Sequence, residues 1–455
     1  MNQYDLIVIG SGGAAMAAGI EARSRGKSVL LVEHGPLGGT CLNIGCVPSK
    51  NLLAAAGHLH RAEVTPFPGV LTRSGGVDMG RLLTEKRDLI DHLRQAKYAD
   101  VAEAHGFPVM HGHARFRDER TLEVGDQTFQ APAYVIATGA APHVPDLPGI
   151  ADVDYLTSTS AMDQDRLPES MVVLGAGYVG LEQAQLWSRL GVAVTLIGRF
   201  APHAEPEVAN VLRGAFADEG ITMVEEHATE VTRTPTGVLV TTRSGAQVPA
   251  ATVLVATGRS ANTSDLGLAA AGVQTDSRGF IAVDQQQRTT NPRVFAAGDV
   301  SGAPQYVYVA AQTGHVAAAG ALGEPTSVDY TGLPGVVFTT PQLASAGLTE
   351  AQALEAGHRC ASRVLDARDI PRLLVNHDTR GALKLIIDAD TGKVLGVHAA
   401  LDGAGDVMLA ATYAIKFGLT VDDLADTWAP YLTAAESLRI AAGLFRSTLP
   451  TSCCA

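Results

Sequence analysis

The same glycine-rich turn occurs twice in the chain, each time between an apolar strand and a helix. Tyr4–Ile9 is a short run of branched apolar residues, as expected of a strand buried on both faces. Gly10-Ser11-Gly12-Gly13-Ala14-Ala15 follows, then a small-residue helix to about Arg25, then a second apolar run, Ser28–Val32, ending at Glu33. In such a βαβ unit Gly10 permits the tight turn, Gly12 lets the backbone approach a pyrophosphate, and Ala15 allows close helix–strand packing; Gly13 lies in the same turn. The helix N-terminus faces the phosphates, and Glu33 can accept from a ribose. The second copy runs from Met171–Leu174 through Gly175-Ala176-Gly177-Tyr178-Val179-Gly180 to Val192–Ile197. Here the acid is missing: position 198 is Gly, and Arg199 follows. That pattern accommodates a 2′-phosphate, so the second site is expected to prefer NADPH.

Two such units imply two dinucleotides, and other segments fit them. Tyr134–Gly139 and Val253–Gly258 both end in Ala-Thr-Gly, which places Thr138, Gly139 and Gly258 at matched returns of the chain. Val294–Asp299 ends in Gly-Asp, and Asp299 could bond the ribityl chain of a flavin. After about residue 330 the strands alternate with helical stretches, such as 405–417 and 434–445, and carry no nucleotide motif, as in an α+β domain. The 455 residues allow about three domains.

Composition narrows the class. Five cysteines in this length are not a disulfide scaffold. A net charge of −13 makes a poor nucleic-acid binder, and no apolar run is long enough to span a membrane. Residues 6–20 lack the positive charge that precedes a signal-peptide core, so a cytoplasmic location is expected.

Cys41 and Cys46 lie in Gly38-Gly39-Thr40-Cys41-Leu42-Asn43-Ile44-Gly45-Cys46-Val47-Pro48-Ser49-Lys50. One helical turn between them could bring the thiols within bridging distance. Two cysteines can also begin a zinc site, but no Cys/His pair of matching spacing follows. Cys453 and Cys454 sit one residue from the end of the sequence, where they cannot staple a core. Cys360, in a charged stretch read as helical, is expected to be a plain thiol.

These motifs resemble those of the flavoprotein disulfide reductases, including glutathione reductase and dihydrolipoamide dehydrogenase, over nearly all of residues 4–455. The resemblance implies a glutathione-reductase-like α/β fold with two Rossmann-like domains and a C-terminal α+β dimerisation domain. It assigns 1–150 and 266–330 to the FAD domain, 151–265 to the NADPH domain, and 331–455 to the interface domain. It also implies a redox-active Cys41–Cys46 disulfide against the flavin, with Cys46 flavin-proximal and Cys41 exchanging with substrate. Thr40 belongs to the FAD contacts. Lys50 would stand near flavin N5 paired with Glu182, and Tyr178 would gate the nicotinamide site.

The chain departs from reductases of glutathione or lipoamide near its end. Those enzymes carry His-Pro-Thr-x-x-Glu, whereas this segment reads Tyr431-Leu432-Thr433-Ala434-Ala435-Glu436. A tyrosine of ordinary pKa is a poor proton shuttle at pH 7. Tyr431, the Cys453–Cys454 tail, Tyr98 and the disulfide motif together resemble the mercuric reductase branch. That branch implies Hg(II), a soft ion suited to thiolates, held by Cys41, Cys46, Cys453 and Cys454. It also implies a homodimer in which the tail and Tyr431 of one subunit complete the other's site. Many relatives begin with a heavy-metal-associated domain that this sequence lacks, so delivery is expected from a separate protein or from small thiols. The competing readings are dihydrolipoamide dehydrogenase or another low-molecular-weight disulfide reductase, and a thiophilic metal carrier.

Overall fold

The computed structural model describes residues 4–446. Two five-stranded parallel sheets repeat one plan. In the first, Leu6–Ile9 lies between Val29–Glu33 and Ala133–Ile136, with Val294–Ala296 and Val109–His111 at the edges. In the second, Ser170–Leu174 lies between Ala193–Ile197 and Thr252–Val255, with Leu156–Thr157 and Thr222–Val224 outside. The strands Leu6–Ile9 and Ala133–Ile136 are buried at every residue, which is why both read as unbroken apolar runs.

The duplication extends beyond the glycine turns. Each sheet receives a three-stranded antiparallel meander just before its Ala-Thr-Gly strand: Ala114–Phe116, Thr121–Val124 and Gln127–Gln130 in one, and Ala228–Thr234, Gly237–Thr242 and Gln247–Ala250 in the other. After Ala-Thr-Gly the two returning chains pair with each other, Ala140–Pro142 against Arg259–Ala261. The second unit is thus inserted into the first, whose last strand arrives only at Val294.

The third part is an antiparallel sheet in the order Pro334–Val337, Gln342–Gly347, Val394–Leu401, Ala382–Asp388, Cys360–Asp366. Helices Ala404–Lys416 and Glu436–Gly443 pack against it. Cys360 therefore starts an edge strand, not a helix; the pairing of all seven residues with Ala382–Asp388 overrides the charged composition.

Helix Tyr178–Arg189 is buried at almost every position, and it packs on helix Cys46–Glu63 of the first unit. Trp187, in its last turn, is 1% exposed and donates its indole N–H to Gln183 one turn earlier, at 2.9 Å. Helices Gly13–Ser24 and Val307–Ala321 meet so closely that a Cβ on Gly314 would stand 2.1 Å from the Ala14 carbonyl oxygen. Gly314→Val should lower the melting temperature, with a cost of about 1–3 kcal/mol as for other overpacked sites. Gly214 is exposed, mid-helix and faces open space. Gly214→Ala should raise the melting temperature, by roughly 0.5–1 kcal/mol of helix propensity. A thermal melt of the two variants with opposite ordering would refute this packing account.

Candidate active site

Local backbone chemistry sets the thiol pair. Gly38 and Gly39 take φ of +107° and +62°, and a Cβ on Gly39 would stand 2.7 Å from the Gly12 Cα. The motif thus lies directly on the first glycine turn. Cys41 sits in a short helix, Gly39–Asn43, and Cys46 opens the long helix Cys46–Glu63. The thiols are not joined by one continuous helical turn: the helix stops at Ile44, and Gly45 carries the chain past the Thr40 carbonyl, which a Cβ would meet at 2.8 Å.

Cys41 and Cys46 are free thiols, and they are polarised in opposite directions. The hydrogen bond from Cys41 lowers Cys46 most; burial opposes it, Lys50 adds to it, and the balance leaves Cys46 at about 7. The same bond, with burial, pushes Cys41 well above the ordinary thiol range. Cys46 also begins an 18-residue helix, whose N-terminal end favours an anion. Near neutral pH Cys46 is therefore partly thiolate while Cys41 stays a thiol.

Lys50 lies one turn after Cys46, and its ammonium bonds both oxygens of Glu182, at 2.6 and 2.9 Å. Glu182 is 7% exposed and also accepts from the Phe338 amide at 3.0 Å, while the Phe338 ring lies 4.8 Å from the Lys50 ammonium. Further along the same helix, Gln185 exchanges two hydrogen bonds with the Thr340 backbone, and Arg189 donates to the Thr340 hydroxyl. Residues 182, 185 and 189 share a helix face, so they grip one loop of the third domain.

Tyr98 occupies a π-helical turn, Gln95–Ala99, an element frequent at functional sites. Burial raises its pKa first, and the fields of Cys41 and Cys46 add to that, so the phenol lies within the field of both sulfurs. Tyr178 starts the helix after the second glycine turn. Near it, Tyr306 and Tyr308 stack at 5.2 Å. Burial first, then the fields of Tyr178 and Cys46, push Tyr308 up to about 12. Tyr306 and Tyr308 escape a motif search because nothing in their spacing distinguishes them from core aromatics.

The two glycine turns solve one steric problem identically. A Cβ on Gly10 (φ +116°) would stand 2.4 Å from the Ala137 carbonyl oxygen, and one on Gly175 (φ +102°) 2.3 Å from that of Ala256. Gly13 packs on Val307, and Ala15 is fully buried. Gly177 faces open space, as a turn approached by a phosphate requires. Glu33 ends its strand; it accepts from the Ser11 hydroxyl at 2.6 Å and the Gly35 amide at 2.7 Å, which fixes the carboxylate beside the turn. Thr40 starts the turn into Cys41. Thr138 and Gly139 are tied to Asn262. Gly258, at φ +132°, holds the equivalent return. Arg199 is exposed just beyond the strand Ala193–Ile197. Asp299 faces Arg259 at 3.6 Å, burial raises its pKa, and Arg259 Nε is buried with no hydrogen-bond partner. A polyhydroxyl chain between these two groups would satisfy both, so the residues present fit a flavin's ribityl arm.

Tyr431 is half-exposed in the loop before helix Glu436–Gly443. Glu436 is buried and accepts from the Leu432 amide at 3.3 Å. Cys453 and Cys454 lie outside the described residues. Among the described residues, no cluster of three or more His, Cys, Asp or Glu could hold a metal, and no helix is long and apolar enough to cross a membrane.

A fold with two dinucleotide units and a polarised thiol pair between them defines a class. Residues 4–314 match the pyridine nucleotide-disulphide oxidoreductases, residues 333–442 match the dimerisation domain of the same proteins, and the chain belongs to this family. It is 49% identical over 466 residues to a mercuric reductase of Streptomyces lividans, covering 99% of this chain and 98% of that protein. It is 43% identical to one of Staphylococcus aureus, over 99% of this chain and 84% of that one. Among solved structures, the HOCl-induced flavoprotein disulfide reductase RclA of Escherichia coli superposes with a TM-score of 0.87 at 29% identity, covering 97% of this chain and all of that one. LpdA of Mycobacterium tuberculosis does so at 0.86 and 26%, covering 98% and 100%.

Charge placement around Cys46 gives a two-sided test. Lys50 lowers its pKa and Glu182 raises it. Lys50→Met should move the Cys46 titration upward from about 7, and Glu182→Gln should move it downward, each by about one unit. The pH dependence of iodoacetamide alkylation in the reduced enzyme reads both shifts, and shifts of the same sign would refute the assignment.

Proposed function

We propose that the chain reduces thiol-bound Hg(II) to Hg(0) with NADPH, as a homodimer in the cytoplasm, with a separate protein or small thiols delivering the ion. The observation that carries this reading is the polarised Cys41–Cys46 pair beside the Lys50–Glu182 ion pair. The identity to mercuric reductases supports it. The overall reaction consumes NADPH, a proton and Hg(SR)2, and yields NADP+, Hg(0) and two RSH. FAD, when bound, relays the two electrons between NADPH and the thiol site.

Each domain has a part in this reading. Residues 1–150 with 266–330 hold FAD, 151–265 hold NADPH, and 331–455 form the dimer interface and the tail. Gly10, Gly12, Gly13 and Ala15 cradle the FAD pyrophosphate, and Glu33 takes the ribose. Thr40, Lys50, Thr138, Gly139 and Asp299 complete that site. Gly175, Gly177 and Gly258 line the NADPH site, Tyr178 gates it, and Arg199 meets the 2′-phosphate.

The thiol chemistry is ligand exchange. Hg(II) arrives on Cys453 and Cys454. The Cys46 thiolate and Cys41 displace those sulfurs in turn, and the proton that Cys41 loses passes to the departing thiolate. Two sulfurs hold the ion as a near-linear pair, so no histidine base is needed. Tyr98, with Tyr431 and Glu436 of the facing subunit, shapes the pocket and assists ligand release. The exposed Tyr431 at the usual histidine position disfavours disulfide exchange with lipoamide or glutathione. Two nucleotide units disfavour a simple metal carrier.

The double variant Cys453→Ala, Cys454→Ala should keep NADPH-driven bleaching of the flavin. Its turnover of Hg(II) bound to two cysteines should fall sharply, and unchanged turnover would remove the tail relay. Arg199→Glu should raise KM for NADPH by ~10-fold or more, as for a lost charge-assisted hydrogen bond, and leave KM for NADH nearly unchanged. Equal effects on the two coenzymes would remove Arg199 from the phosphate site.

A further inference from the structure

We propose that Arg94 is a positioning residue for Tyr98: its guanidinium fastens the π-turn that carries the phenol to the loop that carries Cys41. The inference rests on the reading that Tyr98 works at the thiol pair. Helix Met79–Arg94 ends at Arg94, and the chain runs straight on as the π-turn Gln95–Ala99 and the helix Asp100–His105. A π-turn is one residue wider than the α-helix around it, so an outside contact must fix the direction in which its side chains leave. Arg94 supplies that contact. Its Nε and Nη2 donate to the side-chain amide oxygen Oδ1 of Asn43 at 3.1 and 2.8 Å, and Asp91 holds Nη1 at 2.6 Å from the other side.

Asn43 carries the constraint onward. Its side-chain Nδ2 donates to the Leu37 carbonyl at 3.1 Å and the Gly39 carbonyl at 2.9 Å, with that of Pro36 at 3.4 Å. It is also the last residue of the short helix that contains Cys41. An unbroken line of hydrogen bonds thus runs from Asp91 through Arg94 and Asn43 into the backbone on which Cys41 sits. Tyr98 lies about one turn beyond Arg94 and is half-buried within the field of both sulfurs. The two ends of the clamp are 51 residues apart in sequence. A planar fork on one oxygen fixes orientation as well as distance, which an ammonium cannot do.

The test uses the flavin-loaded, NADPH-reduced dimer under anaerobic conditions. The readout is the rate at which iodoacetamide alkylates the thiol pair between pH 6 and 9. Arg94→Met and Tyr98→Phe should each change the rate severalfold in the same direction, and the double variant should change it no further. Arg94→Lys should behave as Arg94→Met does. The flavin spectrum should stay that of the unmodified enzyme in all four.

The proposal is overturned if the two single effects multiply in the double variant, if lysine restores the original rate, or if Tyr98→Phe has no effect. It is likewise overturned if Arg94→Met releases flavin, since that marks a general structural role. No mercury enters this readout. Failure of the Hg(II) reading would appear separately, as an unmodified enzyme whose NADPH oxidation does not depend on Hg(II).

Discussion

The Glu182 carboxylate is the point at which the three parts of the molecule meet. It belongs to the second nucleotide unit, it bonds Lys50 of the first, and it accepts the Phe338 amide of the third. A buried ion pair gains little net stability, because both charges give up water. Its value is geometric. Helices Cys46–Glu63 and Tyr178–Arg189 both begin at the site, and the pair locks them one turn in. The register of Cys46 against Tyr178 is therefore set by a bond that only one arrangement of the domains can make.

The remainder of helix Tyr178–Arg189 extends that lock. Gln185 and Arg189 hold Thr340, and Glu219 holds Arg189 through two of its nitrogens at 2.7 and 2.9 Å. Glu182, Gln185 and Arg189 each have a partner on the loop of the third domain, so sliding that domain would leave all three short of a bond at once. Such networks discriminate strongly against wrong packings, because an unpaired buried polar group costs more than a made bond gains. That explains why a helix buried on nearly all sides can carry Glu, Gln and Arg.

Much of the architecture was legible because steric rules write themselves into sequence. Gly10 and Gly175 each face a carbonyl oxygen at a distance no side chain survives, so both turns must show glycine. The strands buried on both faces must be apolar throughout. The break between Cys41 and Cys46 was not legible, because it depends on how closely Gly45 passes the Thr40 carbonyl, a distance that no residue pattern encodes. Cys360 was misread for a related reason: cross-strand pairing with Ala382–Asp388 decided its state, and local composition did not. The Arg94–Asn43 clamp was illegible because both residues are ordinary in their own segments. Only the folded chain brings them together.

The polarisation of the thiol pair bears on why tyrosine at position 431 is compatible with reactivity. In disulfide exchange an external base must remove a proton from the attacking thiol, since a neutral thiol is a weak nucleophile. Here Cys46 is already drawn toward the thiolate, because Cys41 donates its hydrogen bond to Cys46 and Lys50 adds its charge. In the proposed ligand exchange, a soft cation bound by Cys46 would lower the pKa of the neighbouring thiol through its positive charge. The proton on Cys41 would then leave as the second metal–sulfur bond forms. A site of this kind needs shape and a first thiolate, and a histidine base adds nothing to either.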